Sequence, residues 1–429
     1  MSNGRESESD GNVSGTITRR AALRAVAAGG AATALVGTAS ANGSGDRPPA
    51  RIVGVSSRSG ERAARQQAAS VKRVLDFGDI GRAVAGRFSD QAVSALRQRA
   101  DVRYVEEDIT MHALGRAGAQ KKPPWAGGGG GGGGGNSGQC LPWGIDRVDA
   151  EVAHANDDTG SGVDVAIIDT GIDSDHPDLI DNLGDGKAFV KARGHYAEAW
   201  DDDNEHGTHC AGIAAAVDNG QGVVGVAPGA TLHAVKVLDK SGSGSLSDVA
   251  AGIEYVADQG WDVGSMSLGA SSGAQTLEDA CTYATDWGVL LVAAAGNSGP
   301  CTDCVGYPAA YSEVVAVGST TSNDTLSGFS STGPEVEIAA PGSSIYSTVP
   351  GGYDTLSGTS MACPHVSGAG GLLMADGTSN TKARNTLSSS AEDVSLDPNE
   401  SGAGLLDVEQ AVLGTTDGDD WDKTHTNCP

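Results

Sequence analysis

Over residues 141–414, short runs of consecutive Val, Ile, Leu and Ala alternate with longer stretches whose apolar positions recur at helical spacing. Residues 163–168, 231–238, 264–268, 289–294 and 314–317 read as strands, and residues 207–217, 247–259 and 277–287 as helices. Strands that are apolar on consecutive positions are covered on both faces, and helices between them imply parallel pairing. The pattern predicts an α/β fold: a parallel central sheet with helices on both faces. Functional sites in such sheets lie at the carboxyl ends of the strands.

Upstream the pattern differs. Residues 51–55, 71–75 and 102–108 read as strands and residues 91–99 as an amphipathic helix, giving a small α+β unit over residues 50–114 that is marginal alone. Residues 115–138 read as a linker, because fixing the uninterrupted glycine run from Gly127 to Gly135 in one conformation costs much entropy. Residues 139–414 form the main domain, and residues 415–429 read as an acidic, loose tail. At the other end, Arg19-Arg20 precedes a mildly apolar stretch closing on Ala39-Ser40-Ala41. That combination reads residues 1–41 as a twin-arginine-type export signal rather than a membrane span. The expected location is secreted, extracellular, with no membrane association after export.

Charge sharpens the division. The formal net charge is −27; the first 122 residues carry 19 Lys/Arg against 12 Asp/Glu, and the rest 9 against 43. An acidic surface of that size argues against nucleic acid as a partner and fits solubility at high salt, a halophilic habit. A basic leading unit should dock on the acidic domain, more weakly as salt rises. The seven cysteines have no zinc-ribbon spacing. Cys301 and Cys304 lack the second pair a zinc site needs, so a short-range disulfide is expected there; Cys210 and Cys363 read as buried small residues.

Three motifs carry chemistry. Val165-Ala166-Ile167-Ile168-Asp169-Thr170-Gly171 ends a buried strand in a carboxylate, His206-Gly207-Thr208-His209 opens a helix of small residues, and Gly358-Thr359-Ser360-Met361-Ala362 opens another. A serine hydroxyl is a poor nucleophile until an imidazole takes its proton, and a carboxylate fixes the imidazole tautomer. A helix amino end adds free N–H groups where negative charge develops.

These motifs, in that order, resemble the subtilisin-type serine proteases, and within them the acidic composition and export signal look most like secreted haloarchaeal halolysins. The resemblance implies a zymogen: residues 50–114 as an inhibitory propeptide, the enzyme's own intramolecular inhibitor, and a peptide hydrolase acting as a monomer on protein and peptide substrates. It implies Asp169 as orienter, His206 as general base, Ser360 as nucleophile and Asn297 as oxyanion donor beside the Ser360 backbone N–H. Ser267, Leu268 and Gly269 match one substrate-pairing strand; Gly242, Ser243 and Gly244 match the opposite one. Ala294, Ala295, Gly296 and Gly306 match the wall and floor of a roomy, uncharged pocket that suits large apolar residues, and Leu114 marks a self-cleavage point. Calcium is the implied cofactor, with Asp178 and Asn219 giving side-chain oxygens, Val217, Gln221 and Val223 backbone carbonyls, and Gln139 a further ligand from the mature amino terminus. The competing reading, a catalytically silent binding protein using the same groove, would be free to lose one of Asp169, His206, Ser360 or Asn297.

Overall fold

The computed structural model describes residues 47–115, 138–194, 196–416 and 428. The export segment 1–41, nearly all of the linker and residues 417–427 lie outside the described residues. The chain divides into Met1–Gly45 and a unit, Asp46–Pro429, that holds every element below.

The leading part of that unit runs β1 (Ala50–Val55), α1 (Arg58–Gln67), β2 (Ser70–Asp76), β3 (Arg82–Arg87), α2 (Asp90–Leu96) and β4 (Val102–Glu107). Its sheet is antiparallel in the order β2-β3-β1-β4. Serine caps start both helices: Ser57 Oγ accepts from Gly60 N at 3.0 Å and Ser89 Oγ from Ala92 N at 3.2 Å. The sequence pattern did not reveal α1, because only Gly60 and Ala64 of its ten residues are buried. Strand alternation gives the sheet two apolar faces. Val53, Val55 and Val84 meet Ala64, Phe88, Val93 and Leu96 in a small core of their own. Ile52, Leu75, Phe77, Ala83 and Ala85 face the other way and belong to the core of the main domain. One apolar face of this sheet is therefore covered by the main domain. After β4 the chain leaves the sheet as β5 (Thr110–Ala113).

The main domain follows as β6 (Asp164–Asp169), β7 (Lys187–Ala188), α3 (His206–Ala215), β8 (Thr231–Lys236), β9 (Ser243–Ser245), α4 (Leu246–Gln259), β10 (Val263–Met266) and β11 (Leu268–Gly269). It continues with α5 (Gln275–Asp286), β12 (Leu290–Ala294), β13 (Val314–Thr320), β14 (Val336–Pro341), a hairpin of β15 (Ile345–Val349) and β16 (Gly352–Leu356), and α6 (Thr359–Ala375). Seven strands form one parallel sheet in the order β14-β13-β12-β10-β6-β8-β7. Val165 and Ile167 of β6 face α3 and α6, in a core with Ile213, Val366 and Ala369. Ala166 and Ile168 face α4 and α5, with Val249, Ile253, Leu277 and Ala280. The α/β expectation holds. One strand differs: residues 264–268 read as continuous, but the sheet strand ends at Met266 and the chain restarts as β11 in another sheet. Between them Ser267 is turned to α6, its Oγ donating to the Ser360 carbonyl at 2.8 Å.

Docking of the leading unit is ionic at its edges. Lys72 and Arg73 pair with Asp248, and Arg103 pairs through both its terminal nitrogens with Asp279. Glu106 accepts the backbone N–H groups of Gln275 and Thr276 at 2.9 and 3.0 Å, at the amino end of α5, while Asp108 accepts from Ser247 N at 2.9 Å in the first turn of α4. The carboxylates of Asp248 and Asp279 are nearly buried, so salt screens these pairs less than exposed ones.

Cys301 pairs with Cys304, and Cys140 with Cys428, which ties the end of the tail to the start of the main domain. Cys210, Cys281 and Cys363 are buried free thiols. No described helix is long and apolar enough to cross a membrane. The Cys140–Cys428 bridge closes a loop of 288 residues in sequence separation. Cys428→Ser, in a Ser360→Ala background, should lower the unfolding free energy by about 2–4 kcal/mol. A urea midpoint equal to that of the background chain would show that the bridge adds no stability.

Candidate active site

The switch in strand order falls at β6, flanked by β8 on one side and β10 on the other. Asp169 is its last residue and wholly buried. One carboxylate oxygen accepts from the Thr170 backbone N–H at 2.6 Å, and the two lie 2.8 and 3.0 Å from His206 Nδ1. His206 opens α3. Gly207 lets that helix reach the strand, since a Cβ there would lie 2.2 Å from the Gly171 carbonyl. Burial opposes protonation of His206, but the Asp169 charge and hydrogen bond, and then Asp202 and Glu205, outweigh it and raise the imidazole pKa above its ordinary value.

The turn that delivers His206 is held by polar residues the sequence pattern did not single out. Asp202 accepts from the Thr208 N–H and hydroxyl at 2.9 and 2.6 Å and from Asn204 N at 2.9 Å. Lys236, wholly buried at the end of β8, reaches the Thr170 carbonyl and pairs with Asp203 at 2.6 Å. Asp201 and Asp202 are buried and Asp203 is paired. Glu205 has φ of 123°, a conformation that non-glycine residues rarely hold and that costs about 1–3 kcal/mol.

Ser360 lies in the first turn of α6 and is buried. Its hydroxyl donates to the Ser267 carbonyl at 3.1 Å, and His206 Nε2 has no hydrogen-bond partner. The structure thus joins Asp169 to His206 but leaves the Ser360–His206 hydrogen bond unmade. The reason is the chain's own segment. Gly115 lies against the imidazole, where a Cβ would come within 2.5 Å of Nε2, while the Ser360 hydroxyl is held by Ser267. Catalytic hydrogen bonds commonly close only on the way to the transition state.

That segment lies in a groove between two strands. β5 inserts antiparallel between β9 and β11, pairing Met111 with Gly244, His112 with Ser243 and Gly269, and Ala113 with Leu268. Ala113 N donates to the Gly242 carbonyl at 2.9 Å, and Leu114 N to the Ser267 carbonyl at 3.0 Å. Ser267, Leu268 and Gly269, and opposite them Gly242, Ser243 and Gly244, therefore flank one inserted strand. The Leu114 side chain packs on Gly269, and its carbonyl accepts from Asn297 Nδ2. The other side of that amide, Asn297 Oδ1, accepts from the Thr359 N–H and hydroxyl at 2.9 and 3.0 Å, which aims the donor. Gly306 N donates to the Ala295 carbonyl at 2.8 Å, and Thr359 Oγ1 accepts from Gly296 N at 3.2 Å, so residues 294–296 and Gly306 form one wall. Met111, which the sequence pattern did not mark, is wholly buried in the core shared by Leu246, Val249 and Leu268.

Cys210 lies beneath the pair, with ligand atoms of Asp169, His206 and Cys210 all within 4.8 Å of one another. Burial, then the Asp169 charge, pushes its thiol pKa well up, so it is a neutral thiol.

A second cluster gathers around the loop after α3. Gln139 Nε2 donates to the Val217 and Val223 carbonyls at 2.8 and 2.9 Å, and its Oε1 accepts from Gly220 N at 3.2 Å. Asn219 Oδ1 accepts from Gln221 N at 3.0 Å. Asp178, wholly buried, accepts from Val223 N at 2.8 Å through Oδ2, while Oδ1 has no hydrogen-bond partner. Gln139 thus presents its amide nitrogen to the two carbonyls and its oxygen to Gly220 N, and Asn219 spends its oxygen on the loop's own backbone.

Residues 160–407, more than half of the chain, match the model of the subtilase family. The chain belongs to the subtilase family. Over 327 residues, 76% of this chain and 77% of the relative, it is 42% identical to an alkaline protease of Alkalihalobacillus alcalophilus. It is 47% identical over 277 residues to subtilisin Savinase of Lederbergia lenta, covering 64% of this chain and 99% of that one. It is 40% identical over 335 residues to subtilisin E of Bacillus subtilis strain 168, covering 77% and 80%. This subtilase is a subtilisin-type serine peptidase with the parallel sheet of its family.

The raised pKa of His206 has a testable sign. In a Ser360→Ala chain its imidazole should titrate above the ordinary value of about 6.5, and Asp169→Asn should bring the midpoint down, followed by NMR. An imidazole acting as base works neutral, so activity falls as pH drops through the raised value, and the same substitution moves that acid limb to lower pH. A midpoint that ignores Asp169→Asn would refute the assignment of Asp169 as the cause.

Proposed function

We propose that this subtilase is a secreted serine endopeptidase, made as a precursor whose residues 50–114 fill its own groove, and that it cuts itself after Leu114. The observation that carries the reading is the contact of the Leu114 carbonyl with Asn297 Nδ2 while Gly115 lies against His206. A carbonyl on a polarising donor, followed by a residue beside the base, is the geometry of a bound substrate.

In this reading Ser360 Oγ turns from the Ser267 carbonyl toward His206 Nε2, gives up its proton there and bonds to the Leu114 carbonyl carbon. Asn297 Nδ2 and the Ser360 backbone N–H hold the oxyanion, and Asp169 stabilises the imidazolium. His206 then protonates the Gly115 nitrogen as the peptide bond breaks, and water releases the acyl group by the same steps reversed. After release the groove takes external chains by strand addition. The uncharged wall of residues 294–296 and Gly306 and the Leu114 side chain on Gly269 support a preference for large apolar residues before the cut. The docked, partly ionic leading unit supports inhibition until it is removed. The arginine pair and apolar stretch of residues 1–41 support export, and the acidic main domain supports a salt-rich setting and the likeness to halolysins.

Calcium fits the second cluster. Asp178 Oδ1 is a buried anionic oxygen without a partner, and the Val217 and Val223 carbonyls converge on one donor position, where a hard cation is better suited than an amide N–H. Turning the Gln139 amide over would present its oxygen to the same point. When bound, the ion would fix the loop after α3 and so brace the helix that carries His206.

Casein hydrolysis in high salt with calcium, with precursor mass recorded in parallel, tests the assignment. Ser360→Ala should stay full length and lose about a millionfold in kcat, as removing the nucleophile does in subtilisin itself. Asn297→Ala should lose about 100- to 1000-fold with little change in KM, again as in subtilisin. A wild-type chain that folds but neither cuts casein nor itself would favour a silent binding protein.

A further inference from the structure

The scissile segment and the calcium arm are docked at the same time. Leu114 and Gly115 remain joined and lie in the groove, at Asn297 and His206. In the same chain Gln139 is already seated on the Val217 and Val223 carbonyls. The arm has two further anchors: Cys140 N donates to the Gly222 carbonyl at 2.7 Å, and Cys140 is bonded to Cys428. Asp178, whose Oδ2 accepts from Val223 N of the same loop, is wholly buried and leaves Oδ1 without a hydrogen-bond partner. Nothing in the cluster waits for a chain end to be freed.

Covalent geometry permits both dockings. The 23 residue steps from Gly115 to Gly138 can span about 76–83 Å when extended. A domain the size of residues 139–414 has a radius of gyration of about 19 Å, hence a width of about 50 Å. The connection is longer than the domain is wide, so neither end need pull on the other.

We infer that the calcium site is complete in the uncut precursor, so that calcium binds before scission of Leu114–Gly115 and independently of it. This rests on the calcium reading above and deepens it. Two consequences follow from linkage: calcium stabilises the unprocessed precursor as it stabilises the mature enzyme, and cutting the bond leaves calcium affinity unchanged. The 115–138 connection then serves to separate two events that a short junction would force into sequence.

The test compares calcium affinity with the bond intact and with it cut. Full-length Ser360→Ala precursor, shown uncut by intact mass and stripped with a chelator, is titrated calorimetrically with calcium chloride. Processed wild type, blocked by a serine-directed sulfonyl fluoride, is titrated alongside. The two Kd values should agree within about fivefold, and Gln139→Ala should weaken calcium binding to the uncut chain at least about tenfold. Calcium-dependent shifts in melting temperature should match as well. If the processed enzyme binds and the uncut chain binds more weakly than that margin, the inference falls while the calcium reading stands. If neither binds, the calcium reading falls and takes the inference with it. Should Ser360→Ala not fold, Asp169→Asn supplies a second uncut precursor for the same comparison.

Discussion

Seven parallel strands, all but the short edge strand β7 buried on both faces, end on one edge of the sheet, and two helices must begin at that edge almost in contact with it. The side chains at the contact are therefore small. Gly207 allows α3 to approach the Gly171 carbonyl, and Ala362, Gly368 and Ala369 keep α6 close to the sheet and to α3. Because a helix that follows a parallel strand runs back antiparallel to it, its amino end lies where the strands present their carboxyl ends. Asp169, His206 and Ser360 come from three distant stretches of chain and meet because of that arrangement.

The leading unit obeys a different constraint. Its sheet has two apolar faces and only two short helices to cover one of them. The other face is satisfied by α4 and α5, and its carboxylates at Glu106 and Asp108 meet backbone N–H groups in the first turns of those helices. Once it is docked, the chain leaving β4 runs into the gap between β9 and β11. Insertion of β5 and the placing of Leu114 at Asn297 are then two results of one docking event, and the positively charged residues of the unit, Lys72, Arg73 and Arg103, add the electrostatic part.

Buried polar groups around the site divide the work. Asp202 and Lys236 hold the turn before His206 and the strand end at Thr170. Their burial is tolerable because each is paired or hydrogen-bonded, the condition under which such groups persist in a core. The strain at Glu205 sits next to His206, where the surrounding bonds over-determine the backbone.

Much of this was written in the sequence. Continuous apolar strands specified a parallel sheet, and Asp169, His206 and Ser360 stood out because each closes a strand or opens a small-residue helix, a local property that residue order alone sets. What local order could not reveal is anything that depends on a partner far along the chain. α1 escaped because its residues are nearly all polar. The break at Ser267 escaped because its cause, the Ser360 carbonyl and the Leu114 N–H, lies elsewhere in sequence. The burial of Asp202 and the Cys140–Cys428 pairing had no local signal. So the residue types and their order determined the fold class and the chemistry on offer. Only the tertiary structure decided which polar groups are buried, which way the Gln139 amide turns, and that the groove holds its own chain, because those depend on contacts made across the folded molecule.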